Sequence, residues 1–175
     1  MKDKIKLINH SSVHILNEKL SILTDPWYSG SAFNNGWSLL YENKHEDIVN
    51  TLNNTNYIFI SHEHPDHFSI KFFKEYKDII IRNNIKILFQ ETDDMRVEKF
   101  LKSLGLNLIL LKHKKDYRFD QNNSITLIKQ GHIDSAFLYE TKNNYHLNIN
   151  DCNFINKELK EIKSLIKDKN KKLIL

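Results

Sequence analysis

A cluster of histidines and carboxylates directly after a short apolar run constrains this 175-residue chain more than any other feature of its sequence. The run is YIFI, and it leads straight into SHEHPDH at residues 61–67. Because side chains two apart in an extended backbone point the same way, His62 and His64 can face one metal ion. If the chain then turns into a helix, Asp66 and His67 can face a second ion beside the first. Imidazole and carboxylate ligands suit zinc, iron or manganese, so the pattern predicts a buried strand that ends at a metal site.

Two later segments offer further ligands. In GHIDS, His132 follows a glycine that lets the backbone turn between two predicted strands. In NINDC, Asp151 stands at the carboxyl end of a predicted strand. Taken alone, such a histidine is more often a surface or capping residue, and such an aspartate is more often a helix N-cap. The upstream cluster makes both residues candidate ligands, with Asp151 able to bridge two ions.

The periodicity of apolar residues predicts a layered α/β architecture in one domain, residues 1–175. Helical spacing or apolar runs place helices at 45–52, 68–81, 93–104 and 156–166. Short alternating or apolar runs predict strands at 4–8, 13–16, 20–24, 57–60, 85–89, 106–111, 124–128, 136–140, 145–149 and 171–175, with a loop at 25–37. Since the chain ends on a strand-like segment, we expect that it stops before its fold is complete.

Composition excludes several classes of protein. Lys and Arg exceed Asp and Glu by 26 − 22 = +4, which suits a small anionic substrate and is too weak a charge for a nucleic-acid partner. The apolar runs are too short for a membrane span, and the first residues lack the apolar stretch of a secretory signal. One cysteine, Cys152, excludes an internal disulfide, a Cys-rich zinc module and a Cys-ligated iron–sulfur cluster made by this chain alone. We therefore expect a cytoplasmic protein with no nucleic-acid or membrane partner.

The order of these motifs resembles the metallo-β-lactamase fold superfamily of metal-dependent hydrolases. The resemblance is carried by TDP at residues 24–26, the cluster at 61–67, Gly131-His132 and Asn150-Asp151. It implies an αββα sandwich with the metal centre at one edge of the two sheets. The superfamily normally supplies one more histidine after the position of Asp151, and none follows His146 here. That departure leads us to expect a C-terminally incomplete fold and leaves the second metal site open.

The same resemblance implies a ligand set for one or two divalent ions, with zinc favoured over iron or manganese. It assigns three histidines to the first ion, an aspartate and a histidine to the second, and a bridging aspartate: His62, His64 and His132; Asp66 and His67; and Asp151.

A narrower resemblance links the chain to the CMP-N-acetylneuraminate hydroxylase family, in its metallo-hydrolase-like domain. The similar segments are NHSS at residues 9–12, LTDPWYSGSAFNNGW at 23–37 and INDC at 149–152. That family's oxygenase chemistry also uses a Rieske cluster held by two Cys and two His, which this chain would need from a separate redox partner. A more distant likeness is to L-ascorbate-6-phosphate lactonase and to N-acyl-phosphatidylethanolamine phospholipase D.

Three functions are consistent with these residues. The first is a metal-dependent hydrolase in which metal-bound hydroxide, oriented by Asp66, attacks a phosphoester, lactone or similar bond in a sugar- or nucleotide-linked small molecule. The second is a sialic-acid-hydroxylase-like module that needs a Rieske partner. The third is a truncated member with little activity. An oligomer is also possible, because a bare C-terminal edge strand invites pairing.

Five residues outside the ligand set are candidates for supporting roles. His10 is a catalytic or substrate-contacting candidate, or else a hydrogen-bonded turn histidine. Asp25 is expected to hydrogen-bond the back of a ligating imidazole, as metal-bound histidines often require, or else to form an Asx-turn before proline. The aromatic side chains of Trp27, Phe33 and Trp37 either line a substrate pocket or pack a long loop onto the core.

The remaining histidines and the cysteine are expected to be structural. His14 alternates with Val13 and Ile15, so it faces solvent or an adjacent layer. Cys152 points away from the metals by alternation and is expected to be a small buried residue.

Overall fold

The computed structural model describes residues 3–175 and divides them into two compact units. Unit 1 comprises residues 3–110 and unit 2 comprises residues 111–175. That residues 1–175 form one domain stays a prediction.

Unit 1 is built on a six-stranded sheet. Its strands and an accompanying two-stranded ribbon are, in chain order, β1 (Lys4–Asn9), β2 (Ser12–Leu16), β3 (Ser21–Thr24), β4 (Ser31–Ala32), β5 (Trp37–Ser38), β6 (Tyr57–Phe59), β7 (Lys86–Gln90) and β8 (Asn107–Leu111, whose last residue belongs to unit 2). The sheet order is β1-β2-β3-β6-β7-β8, and β4 pairs with β5 apart from it. The first three strands pair antiparallel, whereas β3, β6 and β7 run parallel.

Three helices supply the apolar partners of this sheet: α1 (His45–Asn53), α2 (Ile70–Arg82) and α3 (Arg96–Ser103). In α2, Phe73, Tyr76 and Ile80 fall at helical spacing and are buried. They join buried residues of β6 and β7, such as Ile58 and Ile87, in one apolar cluster. This cluster fixes the helix that follows the histidine-rich segment.

The direction of the strands brings three loops to one edge of the unit 1 sheet. Because β3 and β6 are parallel neighbours, their carboxyl ends lie side by side, with Thr24 opposite Phe59. The next residue, Asp25, donates its backbone N–H to the Phe59 carbonyl at 2.9 Å. Antiparallel β2 begins at the same edge, where the Ser12 hydroxyl donates to the Thr24 carbonyl at 2.5 Å. The turn between β1 and β2 therefore lies beside the segment that follows β6.

Unit 2 is a five-stranded sheet with one helix. Its elements are β9 (Asp116–Arg118), β10 (Ser124–Gln130), β11 (Asp134–Glu140), β12 (Asn144–Asn148), α4 (Asn156–Leu165) and β13 (Lys172–Ile174). The strand order is β13-β12-β11-β10-β9, antiparallel except where β13 runs parallel to β12. Ile162 of α4 is buried in an apolar cluster with Ile128 and Leu138, so the helix packs on its own sheet.

The elements expected from the sequence depart most from the structure at three places. Strand β9 has one apolar residue, Tyr117, and gives no alternating pattern. The expected loop at 25–37 contains β4 and the start of β5. Helix α3 begins at Arg96 because Met95 takes a left-handed backbone with φ 56°. No helix within residues 3–175 is long and apolar enough to span a bilayer.

Candidate metal centre

Ser61 organises the start of the histidine-rich segment. Its backbone N–H donates to Asp25 Oδ1 at 2.7 Å. Its hydroxyl lies 2.9 Å from Nδ1 of His62 and 3.2 Å from Nδ1 of His67. Both imidazoles are buried, at 0% and 1% exposure. The hydroxyl thus contacts the Nδ1 atom of each ring, so the Nε2 atom of each ring points away from Ser61.

His62 and His64 bring two ring nitrogens together. Nε2 of His62 lies 2.8 Å from Nδ1 of His64, with ring centroids 4.5 Å apart. The two side chains are separated by one residue, as the extended backbone after β6 predicts. Two imidazole nitrogens that converge from one strand end are a typical half of a transition-metal site.

A second group forms around Asp66. Its Oδ2 lies 3.0 Å from Nε2 of His10 and 3.5 Å from Nε2 of His67. One ligand atom from each of the three residues lies within 4.8 Å of the other two. Asp66 is 3% exposed, and its Oδ1 is buried without a hydrogen-bond partner among residues 3–175. A buried carboxylate oxygen in that state is costly unless a cation or donor meets it.

Asp25 lies behind His67. Its Oδ2 is 3.3 Å from His67 Nδ1, while Oδ1 accepts the Ser61 N–H. The backbone of Asp25 has φ 39°, a left-handed conformation that is strained for a residue with a Cβ. An Asx-turn would direct this carboxylate to its own loop, whereas here it reaches β6 and the cluster. That Asp25 supports a metal-bound imidazole stays a prediction.

The chemistry of these side chains fits a divalent metal ion. Imidazole nitrogens and a carboxylate are ligands for zinc, iron and manganese, and Asp66, whose Oδ1 has no hydrogen-bond partner among residues 3–175, belongs to this donor set. The residues of unit 1 that would hold the ion or ions are His62, His64, Asp66 and His67.

The other two predicted ligands belong to unit 2. His132 is exposed in the tight turn between β10 and β11, where Gly131 has φ 60°. Asp151 is exposed in the turn after β12, next to Asn150 with φ 46°. Both turns place a polar side chain at the end of a strand. Their roles as ligands stay predictions.

The predicted aromatic residues differ in burial. Trp27 is 2% exposed and meets the His10 ring edge-on at 5.2 Å between centroids. Phe33 and Trp37 are exposed, and their ring centroids lie 5.2 Å apart. The ring centroid of Phe33 lies 5.8 Å from that of His64. Trp27 is therefore almost fully buried against His10, while Phe33 and Trp37 are exposed near the rings of His64 and His10.

A cavity of about 500 Å³ opens beside this site. Asn9, His10, Trp27, Trp37 and Tyr41 contribute to its lining. It includes two of the three predicted pocket residues, and Phe33 is not among its lining residues.

Sequence reasoning missed residues that shape the site. Nothing in the pattern distinguished Ser61 or Asn9 from other small polar residues. Asn9 accepts the His10 N–H at 2.9 Å and donates to the Tyr41 carbonyl and to Asn43 Oδ1. Gln90, at the end of β7, donates to the Ser61 carbonyl at 3.1 Å. Only their position in the sequence could have indicated a role for these residues, because each lies next to a candidate site residue or at the end of a strand.

Comparison with known proteins identifies the fold family. The family model of the beta-lactamase superfamily domain matches residues 4–156, which is most of the chain. This chain belongs to that family. The predicted metallo-β-lactamase superfamily membership and α/β fold class are therefore confirmed.

The chain is also similar to one known relative and to two solved structures. Cytidine monophosphate-N-acetylneuraminic acid hydroxylase from Xenopus laevis is 27% identical over 155 residues, which cover 85% of this chain and 26% of that protein. The chain thus spans about a quarter of the length of this relative. CmlA, a diiron beta-hydroxylase from Streptomyces venezuelae, has a TM-score of 0.72 at 12% identity, covering 95% of this chain and 33% of that one. The metallo hydrolase Igni18 from Ignicoccus hospitalis has a TM-score of 0.62 at 18% identity, covering 89% and 63%. Both structures share the fold, which metal-dependent enzymes adopt.

Proposed function

We propose that this chain is a metal-dependent hydrolase of small anionic molecules. The observation that carries the proposal is the convergence of His62 Nε2 and His64 Nδ1, 2.8 Å apart. The His62 ring also lies 4.2 Å, between centroids, from that of His67, which adjoins the buried carboxylate of Asp66. The bond cleaved would be a phosphoester, a lactone or a similar bond in a sugar- or nucleotide-linked molecule. Membership of a family with metallo-hydrolase structures supports this class.

The proposed ligands are those that the resemblance assigns: His62, His64, Asp66, His67, His132 and Asp151. Zinc is the ion we favour, with iron or manganese as alternatives, and one or two ions are compatible with the set. A bound divalent ion supplies Lewis acidity, which lowers the pKa of water and stabilises negative charge on the substrate.

The chain's own residues prepare that chemistry. Asp66 and His10 are the proposed catalytic pair, because the carboxylate and the imidazole face each other at 3.0 Å. The Asp66 carboxylate would orient water for attack. Asp25 and Ser61 hold the rings of His62 and His67 from behind, which keeps their Nε2 atoms directed toward the site.

The surroundings support a small substrate. We propose that Trp27, Phe33 and Trp37 form its pocket, because the cavity beside His10 is lined by two of these rings. The net charge of +4 suits an anion and gives no reason to propose a nucleic-acid or membrane partner. We also propose a cytoplasmic location, consistent with a single buried and unpaired Cys152.

A second candidate function is a hydroxylase-like module that works with a separate redox partner carrying the Rieske cluster. The observation that favours it is the Xenopus laevis hydroxylase, whose aligned region covers 85% of this chain. A Rieske cluster needs two cysteines, so these 175 residues, with Cys152 alone, would not hold it.

Metal content and hydrolysis test the proposal together. The purified chain and His64→Ala would be analysed by plasma mass spectrometry and assayed with a phosphodiester and a lactone substrate. We expect about one to two metal ions per chain and hydrolysis that both fall sharply in His64→Ala. His45→Ala is the matched control, since this imidazole is 66% exposed at the start of α1. A folded wild-type chain that binds no metal would contradict the proposal. Metal binding without hydrolysis would favour the hydroxylase-like module or an inactive member.

A further inference from the structure

We infer that His10 is a direct ligand of a second metal ion, together with Asp66 and His67. This inference rests on the proposed function and deepens it, because it assigns to His10 a bond to the metal that neither the resemblance nor the sequence pattern gave it. The three residues supply two imidazoles and one carboxylate within residues 10–67. The trio therefore needs no residue that follows Asp151.

The distances suit a shared ion. Zinc binds nitrogen and oxygen ligands at about 2.1 Å, so two ligands of a tetrahedral ion lie about 3.4 Å apart. Asp66 Oδ2 lies 3.0 Å from Nε2 of His10 and 3.5 Å from Nε2 of His67. Small movements of these side chains would bring all three atoms to ligand distance from one ion.

The hydrogen bonds around the trio point to a cation. Asp25 Oδ2 and the Ser61 hydroxyl both approach His67 Nδ1, which favours a proton on that nitrogen and a lone pair on Nε2. A lone pair on Nε2 of His67 then faces an oxygen of Asp66. Two such acceptors repel each other unless a cation lies between them. The second oxygen of Asp66, buried and without a partner in the part of the chain described, adds to this need.

The backbone holds His10 in place for this role. Its φ of 41° is left-handed, a conformation that costs free energy in a histidine and often marks a functional position. Asn9 fixes the turn, since its side chain accepts the His10 N–H and donates to the Tyr41 carbonyl and to Asn43. The imidazole also meets the ring of Trp27 edge-on at 5.2 Å. Together these contacts direct Nε2 toward Asp66.

Three variants test the assignment by metal binding alone. His10→Gly removes the imidazole and suits the left-handed backbone, so the turn should still fold. His10→Phe keeps a ring against Trp27 and removes the nitrogen. His45→Ala removes an exposed imidazole elsewhere in unit 1. Zinc stoichiometry would be measured by plasma mass spectrometry, affinity by competition with a chromogenic chelator, and ligand geometry by the visible spectrum of the Co²⁺-loaded chain.

We expect two ions in the wild-type chain and in His45→Ala. We expect both His10 variants to bind the second ion about 100-fold more weakly or to lose it, since even an indirect partner of a ligand contributes 10- to 100-fold. Added imidazole should restore the second ion and its Co²⁺ spectrum in His10→Gly.

Three outcomes would overturn the assignment. If both His10 variants keep two ions at unchanged affinity, His10 is no ligand, while the proposed function stands. If His10→Phe keeps the second ion and imidazole does not rescue His10→Gly, the residue acts by packing. If the wild-type chain binds one ion that the His10 variants do not affect, or binds no ion, the second site does not exist. Of these two results, only the absence of any ion also contradicts the proposed function.

Discussion

Asp25 combines a strained backbone with two contacts that serve the candidate metal centre, one to the Ser61 N–H and one to His67 Nδ1. In Asp25→Asn, the remaining oxygen still accepts the Ser61 N–H, but the charge behind His67 is lost. We expect metal affinity to fall about 10- to 100-fold with the fold retained. Chelator competition and circular dichroism would measure both quantities. Asp94→Asn, a carboxylate paired with Arg96 outside the site, should leave affinity unchanged. An equal loss in both variants would show that the effect is one of general charge.

His14 gives unit 1 a pH dependence. The pKa of His14 falls from its ordinary 6.5 to about 4, chiefly because burial disfavours the charged ring; a hydrogen bond with the backbone of Asn54 raises the pKa, and the charge of Lys6 lowers it. Because the unfolded chain binds the proton more tightly, His14 stabilises the fold fully above pH 6.5. That contribution is lost as the pH falls toward 4, and it amounts to about 3 kcal/mol.

The His14→Gln variant isolates this effect. We expect its free energy of unfolding to depend less steeply on pH between 4 and 6.5 than that of the wild-type chain. Urea denaturation at a series of pH values would measure both slopes. Equal slopes would mean that His14 titrates normally in the folded chain.

Four of the candidate ligands could be predicted from the sequence because they lie close together along it. The spacing of His62, His64, Asp66 and His67 places their side chains by backbone geometry alone. His10 was predicted as a catalytic or substrate-contacting residue or a turn histidine, and its contact with Asp66 was not predicted, because that contact depends on strand pairing across 56 residues. The alternation of residues 13–15 predicted that His14 faces either solvent or an adjacent layer. In the structure the residue is buried, at 4% exposure. Cys152 is buried, as predicted.

At the scale of elements, helix α2 shows how a cap positions the site. Ser69 follows the histidine-rich segment by two residues, and its hydroxyl accepts the Phe72 N–H at 3.2 Å. Ser69→Ala should lower the free energy of unfolding by about 1 kcal/mol, because one N–H at the helix start loses its partner. Urea denaturation would measure the change. Ser69→Asp preserves an accepting oxygen and should stay near the wild-type value, so an equal loss in both variants would exclude capping.

The elements that sequence periodicity predicted are those with strong apolar patterns. Helix α2 buries residues at helical spacing, and β6 and β7 are short apolar runs in a parallel arrangement. Strand β9 was missed because its pairing with β10, and not its own apolar content, makes it a strand. The start of α3 was misplaced because the left-handed Met95 has no sequence signal such as glycine. Pairing and backbone strain arise from the fold and are weakly encoded in local sequence.

At the scale of the whole molecule, metal binding and stability are linked. An ion that binds the folded chain and not the unfolded chain stabilises it by about 2.7 kcal/mol at a concentration 100 times its dissociation constant. For a chain of this size, that corresponds to a rise of about 5–10 °C in melting temperature. We expect zinc to raise the melting temperature of the chelator-treated protein by this amount and to raise that of His64→Ala less, because this variant lacks a ligand of the first ion. Calorimetry with and without zinc would measure both.

The same measurement tests one of the two unit 2 ligands that the resemblance assigns. His132 is assigned to the ion held by His62 and His64, so His132→Ala should reduce the zinc-dependent rise as His64→Ala does. His113→Ala, another imidazole of unit 2, is the matched control and should keep the full rise. If His132→Ala also keeps it, the ion is held by unit 1 residues, and the assignment of His132 fails while the site formed by the histidine-rich segment remains. If zinc stabilises neither the wild-type chain nor any variant, the assignment of a metal centre is wrong.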